Sequence, residues 1–254
     1  MGMNQKKVYS MIGVILLLGS FLLFCGVKNL IQANELAIKN QVLENDNSKS
    51  SNDNDVGEEL KDIQELVYKY KNGIAKLVNK ENGLKSSYEP DDLVMPNVKG
   101  IKNNIYLSKS SAYNLEKMFM DAKKEGIDLC LISGYRSSSY QERLYSNSLI
   151  KKGKEYTERY ISKANHSEHQ TGLAADISAK SIEYKLVQSF EKTAEGKWLE
   201  ENSYKYGFIL RYKKDRVRDT GYDFEPWHFR YVGYNIAKYI YENDLILEDL
   251  YQLS

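Results

Sequence analysis

Cysteine is almost missing from this chain of 254 residues: there are two, and they cannot staple a domain. Cys25 lies in an uncharged apolar run near the N-terminus, and Cys130 stands alone inside the apolar run 127–132, so no disulfide can close within the part of the chain able to build a core. A reactive thiol needs a partly exposed, electropositive setting; a strand interior is the wrong place, and Cys130 is expected to be buried and inert. Lipid modification of Cys25 is not expected, because the bulky Phe24 stands where such sites carry a small residue. An excess of one charge is missing too. The 36 Lys and Arg stand against 35 Asp and Glu, a net charge of +1, which leaves no field suited to nucleic acid or to anionic lipid in bulk. Tyrosine is frequent, at 21, and interleaves with lysine, but no nucleic-acid motif accompanies it. These rings read as core and sugar-facing surface, and nucleic acid is not an expected partner.

What the chain does have begins with residues 8–27, which carry no charge and are flanked by Lys6, Lys7 and Lys28. Such a stretch is long enough to cross a bilayer as a helix, with the basic end inside. It is longer than a signal-peptide core and lacks a good small-x-small site, so an uncleaved anchor is expected over cleavage after Ala33. Residues 45–59 are nearly devoid of apolar side chains; ordering them would cost entropy with little burial in return, and a flexible spacer is expected. From Glu58 onward Leu60, Ile63, Val67, Tyr70, Ile74 and Leu77 recur at three- and four-residue spacing, the pattern of an amphipathic helix to about Gly73 that docks against the downstream domain. The divisions are residues 1–28, a cytoplasmic tail and transmembrane anchor; 29–73, a polar linker and amphipathic helix; and 74–254, one catalytic domain with no internal repeat.

Histidine is scarce, at three, yet two of the three stand beside acids. Ser167-Glu168-His169-Gln170-Thr171-Gly172-Leu173-Ala174-Ala175-Asp176 and, later, Glu225-Pro226-Trp227-His228 have spacings suited to an open catalytic zinc site. A catalytic Zn²⁺ takes three protein ligands from imidazole nitrogen and carboxylate oxygen and leaves one position for the water it activates. His169, Asp176 and His228 can supply the three, and Glu225, three residues before a ligand, is placed to serve as general base. In a buried strand over residues 172–179, alternation puts Ala174, Asp176 and Ser178 on one face and Leu173, Ala175 and Ile177 on the other, so Asp176 points at the site while its neighbours pack. Pro226 cannot donate to a ladder, which predicts an edge or strand-start position and places Glu225 at a rim.

Together with the upstream Ser133-Gly134-Tyr135-Arg136-Ser137, these motifs resemble the VanY-type D-alanyl-D-alanine carboxypeptidases, zinc peptidases that trim the stem peptides of bacterial cell wall. The resemblance runs from about residue 77 to the helix after Tyr231-Val232-Gly233, with the motifs in family order. It implies that His169, Asp176 and His228 are zinc ligands and Glu225 the base. Arg136 becomes the electrostatic anchor of the substrate, where a fixed guanidinium stabilises a developing oxyanion or holds a terminal carboxylate. Ser167 and Gln141 are further candidates for substrate contacts, although Ser167 could instead cap or brace the turn before His169 and Gln141 could close a capping box with Ser138. In one departure, Ala164-Asn165-His166 replaces a turn that in the family often reads Pro-Gly; Asn tolerates the left-handed conformation, so the turn can survive. His166 reads as a loop residue, since a third histidine ligand would displace Asp176.

Periodicity predicts a helix over residues 111–125 with Ala112, Leu115, Met118, Phe119 and Ala122 on one face, then a strand over 127–133 and a helix from Ser138. After the Asp176 strand come helices near 182–190 and 195–206, strands over 208–212 and 227–232, and a closing helix from Tyr234. Helices and strands are segregated, which indicates α+β. With the resemblance added, the expected fold is a small, mostly antiparallel sheet flanked by helices, with the zinc in a cleft on one sheet face. The implied activity is zinc-dependent removal of the C-terminal D-alanine from peptidoglycan stem peptides, with the domain outside a single-pass membrane anchor and no obligate protein partner evident. The same motif residues would serve an L,D-carboxypeptidase or an endopeptidase. A non-catalytic zinc-stabilised binding module for wall peptides is a further alternative, against which Glu225 argues.

Overall fold

The computed structural model describes residues 53–252. Among these no helix is long and apolar enough to cross a membrane; the candidate span 8–27 lies outside the described residues, as does the polar spacer up to residue 52. The chain divides after Val56, and the unit Gly57–Ser254 carries the core and the site. In chain order the elements are α1 (Asp53–Tyr70), β1 (Leu93–Val94), β2 (Leu107–Ser108), α2 (Lys109–Lys124), β3 (Leu129–Ser133), α3 (Ser138–Tyr160), β4 (Ala174–Ala179), α4 (Ala194–Asn202), β5 (Phe208–Leu210), α5 (Val217–Thr220), β6 (His228–Tyr231), α6 (Tyr234–Glu242) and α7 (Leu247–Gln252). Both sheets are antiparallel: β1 pairs with β2, and a four-stranded sheet has the order β3-β4-β6-β5. The fold is α+β.

One face of the four-stranded sheet makes the main core. Leu129 and Leu131 of β3, Ala175, Ile177 and Ala179 of β4, and Phe229 and Tyr231 of β6 alternate onto it and meet the apolar stripe Ala112, Leu115, Met118, Phe119 and Ala122 of α2. Leu115 and Met118 are fully buried, each contributing about 1.5–3 kcal/mol relative to exposure. Cys130 is buried, and burial raises its thiol pKa, as suits an inert position. A second cluster joins Ile63 and Val67 of α1 to Ile236 and Ile240 of α6 and Leu247 and Leu250 of α7. The helix α1 therefore docks against the C-terminal helices of the domain through Ile63 and Val67 of the stripe that its spacing predicts, whereas Tyr70 of that stripe is exposed. It begins at Asp53, inside the stretch expected to be a flexible spacer, because propagating a nucleated helix upstream costs little.

Three local expectations need correction. The stretch near 182–190 is not a helix but two 3₁₀ turns, Lys180–Ile182 and Gln188–Lys192, with Glu183 and Tyr184 at positive φ between them. Two left-handed residues in succession break any α path. Of the two positions that Pro226 allowed, the strand start holds and the edge does not: β6 lies between β4 and β5, and the proline stands before its first residue, where no ladder donor is needed. Glu225 is accordingly not at a rim but only 7% exposed.

The turn that carries His169 depends on Gly172. The 3₁₀ turn Glu168–Thr171 ends there at φ 70°, where an added Cβ would lie 2.9 Å from the Ser108 backbone nitrogen and 3.0 Å from Leu93 Cδ2. Gly172→Ala is predicted to destabilise the protein by about 2 kcal/mol, since left-handed backbone alone costs an L residue about 1–2 kcal/mol. Urea unfolding would show the midpoint falling at constant slope; an unchanged midpoint would contradict this turn.

Candidate active site

The face of the sheet opposite the core carries polar residues in register. Strand β4 offers Ala174, Asp176 and Ser178 there, and β6 offers His228 and Arg230, with Asp176 directly across from His228 and Ala174 across from Arg230. On the other side Ser133 of β3 pairs with Asp176 after a register shift between Leu131 and Ser133. A bulge of this kind re-aims the chain beyond it, and here it leads into Gly134 and Arg136. His169 arrives from the 3₁₀ turn before β4.

His169, Asp176 and His228 each bring one ligand-type atom into a group whose members lie within 4.8 Å of one another, and all three residues are buried. Asp176 Oδ1 is 3.3 Å from His169 Nε2 and 3.3 Å from His228 Nδ1, yet it makes no hydrogen bond although fully buried. An orphaned carboxylate oxygen costs free energy unless something else partners it. Ligand atoms around a tetrahedral zinc, with bonds of about 2.0–2.1 Å, stand about 3.3–3.4 Å apart. The donor set and the two separations from Asp176 fit Zn²⁺. The outer nitrogens are also occupied: His169 Nδ1 donates to the Gly134 carbonyl at 2.7 Å, and His228 Nε2 lies 3.2 Å from Glu168 Oε2.

The electrostatics follow from burial and partners. Burial would raise Asp176, but His169 and the Arg136 guanidinium hold it well below the usual carboxylate range. Burial and Arg136 push His169 down to about 4, against the pull of Asp176. Burial also works against charge on His228, yet the carboxylates of Asp176 and Glu168, one facing each ring nitrogen, take it up to about 9. The neighbouring imidazoles shift oppositely because His228 has a carboxylate at each nitrogen, whereas His169 has one carboxylate and one carbonyl. Glu225 Oε2 lies 3.7 Å from His228 Nδ1, and burial raises its carboxyl to about 8 against the opposing influence of His228.

Arg136 donates from Nη2 to Asp176 Oδ2 at 2.5 Å and from Nε to Ser133 Oγ at 3.0 Å, and its side chain stays 18% exposed on the cavity wall. Gln141 and Ser167 line the same cavity, of 440 Å³, together with Tyr212, Tyr222 and Trp227. Neither plays the capping part considered for it. Ser137, not Ser138, caps α3 by accepting from Tyr140 N, while Gln141 donates from Nε2 to the Ser162 carbonyl and keeps a buried, unpartnered Oε1. Ser167 makes no side-chain cap to its turn. Asn165 takes the left-handed conformation at φ 67°, and His166 lies in the loop with Nδ1 2.9 Å from the Asn79 carbonyl, outside the ligand group.

A protein-family model described as VanY, D-alanyl-D-alanine carboxypeptidase, matches residues 104–234. The chain belongs to the VanY family. Residues of this VanY-family chain are 45% identical over 183 positions to the putative carboxypeptidase YodJ of Bacillus subtilis (strain 168), a match covering 70% of this chain and 67% of that one. Among solved structures, the LdcB LD-carboxypeptidase is 45% identical over 69% of this chain and 84% of its own, with a TM-score of 0.66. The vancomycin-resistance D,D-pentapeptidase VanY in complex with Zn(II) is 30% identical over 70% of this chain and 98% of its own, with a TM-score of 0.59. As a VanY-family member the protein is a metallopeptidase-type hydrolase.

Three residues of the site escaped the sequence reading: Glu168, Arg211 and Arg230, all buried with their charges paired. Arg230 carries a signal in the strand alternation. It stands two residues after His228, on the same face of an otherwise buried strand, where a guanidinium must have a carboxylate partner.

Proposed function

We propose that this chain is a zinc-dependent carboxypeptidase that removes the C-terminal D-alanine from peptidoglycan stem peptides. The observation that carries the reading is the orphaned Asp176 Oδ1 between two imidazole nitrogens, with an acid of raised pKa 3.7 Å from one of them. His169 through Nε2, Asp176 through Oδ1 and His228 through Nδ1 would hold the ion. When bound, Zn²⁺ supplies Lewis acidity towards the scissile carbonyl and a lowered pKa for the attacking water. Glu225 takes the proton of that water and returns it to the leaving amine; a cation in the neighbouring cluster would bring its pKa below about 8, towards the working range of a base. Arg136 faces the cavity, where its charge can meet a terminal carboxylate or a developing oxyanion. Gln141 Oε1 and Ser167 offer polar contacts to the substrate backbone.

The family description favours cleavage between two D residues. A second reading, cleavage after an L residue, is favoured by the higher identity to the LD-carboxypeptidase, 45% against 30% for the D,D-enzyme. Digesting defined pentapeptide and tetrapeptide stems and weighing the products tests both. Loss of one alanine from the pentapeptide alone supports D,D-cleavage, and loss from the tetrapeptide supports L,D-cleavage. Cuts inside cross-linked peptides would overturn the carboxypeptidase reading in favour of an endopeptidase.

Capping the stem peptide as its C-terminal amide tests the same point on the substrate side. Losing a charge-assisted contact costs about 2 kcal/mol, so the amide is predicted to be cleaved at least about tenfold less efficiently. If Arg136 holds the carboxylate, Arg136→Ala erases most of that discrimination; if it serves the oxyanion, both substrates slow together. We place the domain outside the cell, tethered by residues 8–27. Protease added to wall-stripped cells is then predicted to digest it, and a soluble form starting near Asn34 would refute the tether while leaving the enzyme reading intact.

A further inference from the structure

The two histidines converge on Asp176 through different nitrogens, and each is fixed by what its other nitrogen meets. His169 turns Nε2 inward because Nδ1 donates to the Gly134 carbonyl, a backbone group that the fold itself positions. His228 turns Nδ1 inward because Nε2 meets a side chain, Glu168 Oε2. A carboxylate at that depth needs compensation. The two oxygens of Glu168 divide the work: Oε1 accepts from Arg211 Nε at 2.8 Å and from Arg230 Nη1 at 2.7 Å, which leaves Oε2 for the imidazole.

The arginines are themselves held. Arg211 reaches Glu248 of α7 with both terminal nitrogens, at 2.8 and 2.6 Å, and Arg230 Nη2 donates to the carbonyls of Ile74 and Lys76. Two guanidiniums and two carboxylates, Glu168 and Glu248, balance one another within this buried cluster. The contact from Oε2 to His228 is therefore not needed to neutralise it. We infer that Glu168 is a positioning residue that presents His228 to the metal through Nδ1, with Arg211 and Arg230 locking Glu168 in place. The inference rests on the metal site proposed above.

The test begins with zinc titration of the whole wild-type protein. If it binds no zinc, the metal-site reading fails, and this inference with it. Given binding, Glu168→Gln keeps a carbonyl oxygen for the arginines but turns an amide donor towards His228 Nε2. Zinc affinity is predicted to fall about 10–100-fold, as losses of such outer partners do, and the visible spectrum of the Co²⁺-substituted protein to change. Glu248→Gln serves as the control: it removes a charge from the same cluster without touching His228, so stability falls while zinc affinity stays within about twofold of wild type. Wild-type affinity and an unchanged spectrum in Glu168→Gln would overturn the inference, as would equal affinity losses in both variants. Long-range ¹⁵N–¹H spectra of the zinc-loaded wild type decide the point even where a variant does not fold. The inference requires the proton on Nε2 of His228 and on Nδ1 of His169; a proton on Nδ1 of His228 would sink it.

Discussion

Glu225→Gln is predicted to retain close to one zinc per chain while turnover falls by about two to four orders of magnitude, the usual worth of a positioned general base. The geometry separates the two effects. Glu225 stands 3.7 Å from a nitrogen of the ligand group but outside that group, and its backbone is anchored independently through a hydrogen bond to the Tyr212 carbonyl. Glutamine has nearly the same shape, and the buried site already favours a neutral side chain at this position, so the fold should be undisturbed. Metal content by atomic absorption and kcat on a stem peptide would be read on the same preparation. Loss of the metal in Glu225→Gln would make Glu225 a ligand, and unchanged turnover would remove it from the chemistry.

His228→Ala is predicted to do the reverse and empty the site. Zinc held by a set of protein ligands has an apparent binding free energy of about 10–16 kcal/mol, so losing one ligand costs about 4 kcal/mol, or affinity on the order of a thousandfold. The variant also strips Glu168 Oε2 and Asp176 Oδ1 of their shared neighbour, leaving two buried carboxylate oxygens without that partner. Turnover should fall below detection at zinc concentrations that saturate the wild type, with partial recovery as zinc is raised. Undiminished zinc affinity would exclude His228 from the metal site.

Much of the scaffold was legible because its periodicity is unambiguous. The stripe from Ala112 to Ala122 is helical in spacing, and the run from Ala174 to Ala179 alternates, so the face on which Asp176 appears can be had by counting. The closeness of His169, Asp176 and His228 is less direct. Their motifs lie some fifty residues apart, and it is the antiparallel register of β4 and β6 that sets Asp176 against His228. What did not show was the depth of the site. Pro226 suggested an edge or a strand start; it precedes the start of a strand that is central, and that places Glu225 in the interior. The Glu168, Arg211, Arg230 and Glu248 cluster was likewise hidden, because charged residues on four separate segments reveal their pairing only once the chain has brought them together. Local turns at Glu183 and Tyr184 were lost for another reason: positive φ at residues other than glycine leaves no compositional mark.

The most direct test of the central claim is a zinc titration of the chelated protein, with D-alanine release from a stem peptide followed at each addition. One ion held by His169, Asp176 and His228 predicts no release without metal, a linear rise with added zinc, and a plateau at one equivalent per chain. Full activity in the metal-free preparation would contradict the account.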